Sequence, residues 1–199
     1  ERILTHCNTG FLATGGDGTA LAVIYEAHKR YRDIMVYADE TRPLLQGSRL
    51  TAWELLKRKV PSSIICDNAA AYLMQRGMID KVFLGADRIA ANGDVANKIG
   101  TYNLAVCARH HRIPFYVVAP LSTFDPQCVR GADIHIEERS EDEVKIVGAQ
   151  TAIAPRESKA CNFAFDVTPH KLITAIVTDS GVIYPPFKKN IKKILLKNV

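Results

Sequence analysis

The fold is decided by residues 3–31, which read ILTHCNTGFLATGGDGTALAVIYEAHKRY. Residues 3–6 are mostly apolar or β-branched and predict a short strand, which a glycine-rich loop follows. One face of the next predicted helix carries Leu21, Ile24, Ala27 and Tyr31. This segment is therefore one strand–helix unit.

The same unit recurs along the first half of the chain. Further strands are predicted at 34–38, 62–66, 81–85 and 114–119, and helices at 48–59, 68–76 and 101–111. In the helix at 48–59 the buried stripe is expected to be Ala52, Leu55 and Leu56. Strands that are apolar on both faces and alternate with helices are typical of a parallel sheet covered on both sides. The predicted fold class is α/β, a Rossmann-like doubly wound domain with a mainly parallel sheet and helices on both faces.

The pattern weakens after Pro120, and we expect a long surface excursion that includes the charged stretch 137–143. Thr168 is then a suitable N-cap and Pro169 a suitable first residue for one more helix, which ends near Gly181. Its buried face would be Leu172, Ile173, Ile176 and Val177, and a last strand follows at 182–184.

The charge of the chain is concentrated at its end. The 199 residues have a formal net charge of +5, yet five lysines and no acid lie between 186 and 199, so the remainder is neutral. This excludes a protein with a basic nucleic-acid-binding body. We therefore divide the chain into a Rossmann-like catalytic domain, 1–185, and a basic amphipathic tail, 186–199. The tail places Phe187, Ile191, Ile194 and Leu195 on one helical face, which favours a terminal helix closing the sheet, or a subunit interface, over a membrane-surface helix.

Neither a membrane span nor a secretory leader is indicated, because no apolar run approaches ~20 residues and no basic segment precedes an apolar one. A cytoplasmic protein is expected. The five cysteines are odd in number and include no CxxC pair, so neither disulfides nor a metal site is predicted. Because residue 1 is Glu and a strand follows almost at once, we expect the chain to be a fragment or a processed product.

Polar residues follow nearly every predicted strand, at the sheet edge where open α/β sheets bind their ligands. They are Cys7, Asn8 and Thr9, then Asp39 to Arg42, then Asp67 and Asn68, then Asp87 and Arg88. The loops after the second and fourth strands add Gln46, Arg49, Asn92, Asp94, Asn97 and Lys98. We expect a small polar ligand at this edge, with an anionic group.

Two residues at this edge stand out, and each has two interpretations. Cys7 is either a small buried apolar residue or a thiol tuned as an acid, base or nucleophile. Asp87 is either a loop carboxylate paired with Arg88 or a proton donor whose pKa is raised by the apolar centre of the sheet. His6 should point away from Cys7 and be structural.

Nucleotide binding is a weaker alternative. Gly16 and Gly18 with Asp39 resemble half of a dinucleotide fingerprint, but Leu21 stands where its third glycine should be. Gly10 and Gly15 have the spacing of a phosphate loop, but Lys-Ser/Thr does not follow.

Six motifs resemble one enzyme family, the S-methyl-5-thioribose-1-phosphate isomerases, and specifically their C-terminal domain. They are THCNTG at 5–10, ETRPLLQG at 40–47, LTAWEL at 50–55, GADRI at 85–89, NGDVANKIGT at 92–101 and AFDVTPH at 164–170. The resemblance extends to about Pro185 and also distinguishes the chain from related translation-initiation exchange-factor subunits.

The resemblance implies a cofactor-free and metal-free aldose–ketose isomerisation of methionine salvage, from 5-methylthioribose 1-phosphate to 5-methylthioribulose 1-phosphate. It implies that Asp87 is the proton donor and that Cys7 assists as a thiol. Gln46, Asn97 and Lys98 match the family's substrate-binding positions. A homodimer is implied, with no nucleic-acid or membrane partner.

The chain departs from the family pattern at Asp17, where an aromatic residue is usual, and at Phe163, where proline is usual. The family's N-terminal helical domain, which completes the phosphate site, is also missing, so we expect the isolated chain to be almost inactive. The alternatives are a ribose-1,5-bisphosphate isomerase and a non-catalytic regulatory subunit that senses a sugar phosphate or nucleotide.

Overall fold

The computed structural model describes residues 1–31, 33–148 and 151–197. The strands of this part are β1 (Arg2–Thr5), β2 (Met35–Asp39), β3 (Ser62–Ile65), β4 (Lys81–Leu84), β5 (Arg88–Ala90), β6 (Val95–Lys98), β7 (Phe115–Val118), β8 (Phe124–Asp125), β9 (Ile146–Val147), β10 (Thr151–Ala152), β11 (Phe165–Thr168), β12 (Ala175–Thr178) and β13 (Gly181–Ile183). The α-helices are α1 (Phe11–Thr14), α2 (Ala20–Arg30), α3 (Ala52–Lys57), α4 (Ala69–Gln75), α5 (Thr101–His110), α6 (Asp142–Lys145) and α7 (Phe187–Lys197).

The centre of the molecule is a seven-stranded sheet in the order β3-β2-β1-β4-β7-β12-β13. Every neighbouring pair is parallel except β12 and β13, which form an antiparallel hairpin. The expected α/β class with a mostly parallel sheet is confirmed. From β1, the strands β2 and β3 extend the sheet towards one edge, whereas β4, β7, β12 and β13 extend it towards the other. The strand order therefore reverses between β1 and β4.

Both faces of this sheet are buried because side chains alternate along each strand. In β1, Ile3 packs with Leu21 and Ile24 of α2, while the next residue, Leu4, packs with Leu104 of α5 on the opposite face. Burying each such side chain stabilises the fold by ~1.5–3 kcal/mol. The two apolar layers therefore hold rigid the strand ends from which the site is built.

The predicted buried stripes of two helices are partly wrong. Tyr31 lies beyond the end of α2 and is 67% exposed. In α3, Leu55 is buried but Leu56 is 75% exposed, and Glu54 is buried instead. A π-helical turn over Gly47–Thr51 leads into α3 and shifts which residues face the sheet, a rotation that 3.6-residue spacing does not anticipate.

A second sheet occupies part of the region read from the sequence as loop and surface excursion. Its four strands run in the order β11-β6-β5-β8, and all of β6 is buried. β6 pairs antiparallel with both β5 and β11, so the segment after β4 forms a hairpin. This hairpin is what brings residues 95–98 back towards the end of β4.

The helix predicted from Thr168 to Gly181 is wrong. Thr168 ends β11, a short 3-10 turn covers His170–Leu172, and β12 and β13 follow. Alternate residues of β12 reach opposite faces, and its β-branched Ile, Val and Thr suit a strand. Residues 175–178 form a strand because they pair with β7, which is distant in sequence, and with β13, which follows them directly.

The C-terminal tail forms α7, and its predicted apolar face is the face that packs. Phe187 and Ile191 are buried in the main core, and Ile194 and Leu195 pack against its edge. Its lysines are exposed or partly exposed, and residues 198–199 lie outside the described residues. Among the described helices, none combines the length and apolar character needed to cross a bilayer.

Candidate active site

A cavity of about 630 Å3 opens where the strand order reverses. Cys7 lies two residues beyond β1, and Asp87 lies three residues beyond β4. Both line this cavity together with Asn97. Two neighbouring strands whose connections run in opposite directions leave a crevice at their carboxyl ends, so the position follows from the topology.

Cys7 is held in an unusual backbone conformation by hydrogen bonds. Its φ is +59°, in the left-handed region. Its N–H donates to Thr41 Oγ1 at 2.8 Å, and its carbonyl accepts from the Thr51 hydroxyl. Burial raises the pKa of the Cys7 thiol above its ordinary value, against the lowering effect of the Asn8 backbone and Lys98. The raised pKa favours the neutral thiol over the thiolate at neutral pH.

Asp87 enters the cavity from the turn between β4 and β5. Its backbone N–H donates to the Ala96 carbonyl at 2.9 Å, which fixes the turn against β6. Burial raises the pKa of the Asp87 carboxyl, while the charge and backbone of Lys98 lower it by a smaller amount. A carboxyl of raised pKa facing a cavity is suited to give a proton to a bound molecule.

Of the three predicted binding residues, Asn97 lines the cavity, whereas Lys98 and Gln46 do not. Asn97 lines the cavity, and its Nδ2 donates to Thr101 Oγ1 at 2.9 Å. Lys98 is only 5% exposed and forms no ion pair within the described part of the chain. Its charge lowers the pKa of both Cys7 and Asp87, so it lies close enough to act on both. A buried unpaired ammonium is costly in the free protein, and an anion would offset that cost.

Gln46 does not line the cavity with Cys7 and Asp87. It immediately precedes the π-helical turn, and its Oε1 is buried without a hydrogen-bond partner. An unpaired buried amide oxygen can accept a hydrogen bond from a ligand hydroxyl.

Three further residues that the sequence placed at this edge have structural roles. Arg49 donates to the Leu44 carbonyl at 3.0 Å. Asn92 donates to Asp94, whose carboxylate also accepts from the backbone and ring of His170, at 2.9 and 2.7 Å. Asn92 and Asp94 therefore join their loop to the 3-10 turn before β12 and do not line the cavity that contains Cys7.

A buried His–Asp pair lies behind Cys7. His6 Nδ1 is 2.8 Å from Asp39 Oδ2, and Nε2 is 2.8 Å from the Ile99 carbonyl oxygen. Because Nε2 must donate to that carbonyl, a second proton has to lie between Nδ1 and Asp39. Asp67 accepts from the backbone N–H groups of Thr41 and Arg42, at 2.8 and 2.7 Å.

Ligand atoms of His6, Asp39 and Asp67 lie within 4.8 Å of one another, as they could around a cation. Protein hydrogen bonds already use His6 and Asp67, and we assign all three to holding the Thr41 loop that positions Cys7. The structural role expected of His6 fits this arrangement, whereas the pairing with Asp39 was not foreseen.

The loop after Cys7 is anchored by Glu54, a residue that the sequence reasoning missed. Its carboxylate accepts from Asn8 Nδ2 at 3.0 Å, Phe11 N at 2.9 Å, Leu12 N at 3.2 Å and the Tyr25 hydroxyl at 3.2 Å. Both backbone donors belong to the first residues of α1. The sequence does contain a signal for Glu54, because it is an acidic residue next to the apolar positions of the helix predicted at 48–59.

The fold and the site together define an α/β domain with a candidate small-molecule site at its switch point. Residues 1–185 match the Initiation factor 2 subunit family, and the chain belongs to that family.

Curated relatives are named methylthioribose-1-phosphate isomerase. The protein from Caldicellulosiruptor saccharolyticus is 60% identical over 192 residues, covering 96% of this chain and 56% of that protein. The protein from Desulforamulus reducens is 56% identical over 193 residues, covering 97% of this chain and 56% of that protein. The chain thus spans little more than half the length of these relatives.

Two solved structures are close in backbone. The 5-methylthioribose 1-phosphate isomerase from Pyrococcus horikoshii OT3 has a TM-score of 0.96 and 54% identity, covering 99% of this chain and 55% of that chain. The translation initiation factor eIF-2B, subunit delta, from A. fulgidus has a TM-score of 0.94 and 48% identity, covering 98% of this chain and 57% of that chain.

Proposed function

We propose that this chain is the catalytic part of an aldose–ketose isomerase that converts 5-methylthioribose 1-phosphate to 5-methylthioribulose 1-phosphate. The observation that carries the proposal is the placement of Cys7 and Asp87 in one cavity, each with a pKa raised by burial, next to residues 95–98, where Lys98 is buried without an ion pair to any described residue. The names of the relatives at 60% and 56% identity support the same reaction. It would serve methionine salvage, and a homodimer with an N-terminal helical domain would complete the site.

The chemistry requires a proton donor first. The phosphate on the anomeric oxygen prevents spontaneous ring opening, so the ring oxygen must be protonated before the C1–O bond to it breaks. Asp87 supplies that proton in our proposal, because its raised pKa keeps it protonated more readily than an exposed carboxyl. Hydrogen then moves from C2 to C1, through a cis-enediol or a hydride shift. The C2 hydroxyl loses its proton as its oxygen becomes the ketone, and the carboxylate that Asp87 became in the first step can take up a proton, which restores the acid.

Cys7 assists as a neutral thiol in this scheme. A thiol of raised pKa can donate a weak hydrogen bond to an oxygen that gains negative charge in the transition state. Lys98 would bind the phosphate, and Asn97 would bind a sugar hydroxyl. Gln46 lies outside the cavity lining, and its unpaired Oε1 would accept from a sugar hydroxyl where the ligand extends beyond that lining.

One wall of the cavity is suited to a methylthio group. It is apolar and consists of Ala22, Val23, Val118 and Ala119. A thioether could pack against these side chains, whereas the second phosphate of ribose 1,5-bisphosphate would need cations at that end of the sugar. An assay with both substrates separates the two isomerases.

The test is an isomerase assay of the 199-residue chain alone and joined to the N-terminal domain of the C. saccharolyticus relative. Formation of the ketose from 5-methylthioribose 1-phosphate is followed by NMR. We expect the joined protein to be active and the isolated chain to be almost inactive. Asp87→Asn should lower kcat by ~100-fold or more, and Cys7→Ser by at least about tenfold.

Matched controls are Asp133→Asn and Cys66→Ser, which remove an exposed carboxylate and an exposed thiol. Their kcat should stay within about twofold of the unmodified protein. If neither Asp87→Asn nor Cys7→Ser lowers kcat by about tenfold, the roles given to them are wrong. A well-folded joined protein that binds the sugar phosphate without converting it would instead support the regulatory subunit.

A further inference from the structure

A second polar cavity lies at the opposite end of the central sheet. It has a volume of about 720 Å3 and includes Pro114 and Thr174, which immediately precede β7 and β12. A neighbouring cavity of about 450 Å3 shares Lys171, Ile173 and Pro185 with it. We call the two together the amino-end groove. None of its residues takes part in the site proposed for catalysis.

The amino-end groove is lined by cations that lack acidic partners. They are Arg109 and Arg112 in the larger cavity, Lys188 in the smaller one, and Lys171 in both. Of the described residues, no Asp or Glu lines either cavity, and none forms an ion pair with these four side chains. Like charges brought together without counterions repel one another, and a bound anion would relieve that repulsion.

Three separate elements bring these charges together. Arg109 lies in the last turn of α5, and Arg112 lies just beyond it with a φ of +58°. Lys171 lies in the 3-10 turn before β12, and Lys188 lies near the start of α7. Cations at a helix C-terminus offset its dipole, but that dipole is equivalent to only about half a charge. A large part of the positive charge is left for a ligand.

The floor of the groove is apolar. It includes Ile113, Pro114, Leu172, Ile173 and Pro185. The larger cavity falls within the ~300–1,000 Å3 range of small-molecule sites, in which apolar walls carry a few placed polar groups. Guanidinium groups are suited to phosphate because they can donate two parallel hydrogen bonds. An anion with several phosphate oxygens therefore matches the groove better than a monovalent ion does.

We propose that the amino-end groove binds a small molecule bearing a di- or triphosphate group, and that it does so separately from the cavity that contains Cys7. Both cavities touch β7 and β12, since Val118 and Thr178 line the cavity at their carboxyl ends. Four residues at ~3.3 Å each separate the two ends by ~13 Å. A ligand in the groove would not displace a ligand at Cys7. This inference does not depend on the isomerase reaction.

The experiment is isothermal titration calorimetry of the 199-residue chain with two probes, inorganic tripolyphosphate and ATP. Both carry the triphosphate group, and only ATP can place a base on the apolar floor. We expect one bound probe per chain. The double variant Arg109→Gln/Arg112→Gln should weaken binding by at least about tenfold, and Lys171→Gln by at least about threefold. The melting temperature and circular dichroism of each variant establish that it is folded.

The control is Lys29→Gln/Arg30→Gln, which removes the same charge from the last turn of another helix, α2. It should change affinity by less than about twofold. Equal weakening by both double variants would mean that only net charge matters, and it would overturn the proposal. So would the absence of binding by both probes. If a single-stranded RNA oligomer displaces ATP with an affinity that grows with its length, the groove is a nucleic-acid site and the proposal is wrong.

Discussion

Replacing Glu54 with glutamine should loosen the loop that follows Cys7. The carboxylate is only 3% exposed and accepts hydrogen bonds from four donors. Oε2 accepts from Phe11 N and the Tyr25 hydroxyl, and Oε1 accepts from Asn8 Nδ2 and Leu12 N. Either orientation of a glutamine amide turns its NH2 group towards one of the two backbone N–H donors.

The magnitude follows from these contacts. Leaving one buried backbone N–H unpaired costs ~1–3 kcal/mol, and the remaining hydrogen bonds lose the strength that the negative charge gave them. The expected loss is ~3 kcal/mol in the free energy of unfolding. For a domain of this size that corresponds to a fall in Tm of ~6–12 °C.

Urea unfolding of the isolated chain measures the loss in the free energy of unfolding, and thermal unfolding measures the fall in Tm. Neither measurement requires the chain to be active. Glu26→Gln is the matched control, because Glu26 is an exposed helix glutamate paired with Lys29 and Arg30. Such exposed pairs contribute ~0.3–0.5 kcal/mol each, so this variant should lose less than ~1 kcal/mol. If Glu54→Gln costs no more than Glu26→Gln, the carboxylate does not hold the loop and its assignment here is refuted.

Two further predictions concern α7 and the buried His–Asp pair. Phe187→Ala should lower the free energy of unfolding by ~3–5 kcal/mol in urea, because Phe187 is buried in the main core. Leu196→Ala, on a residue 69% exposed, should change it by less than ~1 kcal/mol, and equal effects would show that α7 is not part of the core. For the pair, burial alone would lower the pKa of His6, but the hydrogen bond and charge of Asp39 raise it above 6.5. Burial has the opposite effect on a carboxyl and raises the pKa of Asp39 to about 6. The folded state therefore holds protons on this pair more tightly than the unfolded state does. Through Asp39, stability should fall as the pH rises from about 4 to about 6, and through His6 and the shared proton it should fall again above about 6.5, by up to ~1.4 kcal/mol per pH unit for each group. In Asp39→Asn the amide can donate to Nδ1 without that proton, so urea unfolding at several pH values should show a smaller decline, and an unchanged slope would contradict the shared proton.

The sequence predicted the elements whose local pattern and long-range pairing agree. The strand before Cys7 is short and apolar, and it is buried on both faces, so its hydrophobicity and its place in the sheet give the same answer. Asp87 was found for the same reason, since a buried strand ends just before it. Because ligands bind at the carboxyl ends of strands in such sheets, the two residues were expected at one site, and both line the same cavity.

The predictions failed where residues distant in sequence decide the structure. Leu172, Ile173, Ile176 and Val177 have helical spacing, yet pairing with β7 makes β12 a strand. Asn92 follows a buried strand as Asp87 does, but the β5–β6 hairpin turns it away from the site. The spacing of hydrophobic residues within one segment does not indicate which distant strand that segment pairs with.

The left-handed backbone conformation of Cys7 lowers the stability of the fold, and the side chain that causes this strain carries the thiol proposed to act in catalysis. A non-glycine residue at a φ of +59° costs the fold of order 1 kcal/mol, and Thr41, whose hydroxyl accepts from the Cys7 N–H, has a φ of +64°. Glycine at position 7 would relieve that strain and would remove the thiol. A screen that rewards thermal stability alone would therefore favour Cys7→Gly, whereas selection that requires the thiol must keep the strained residue. Variation at this position among evolved or engineered versions would report which of the two pressures acted on them.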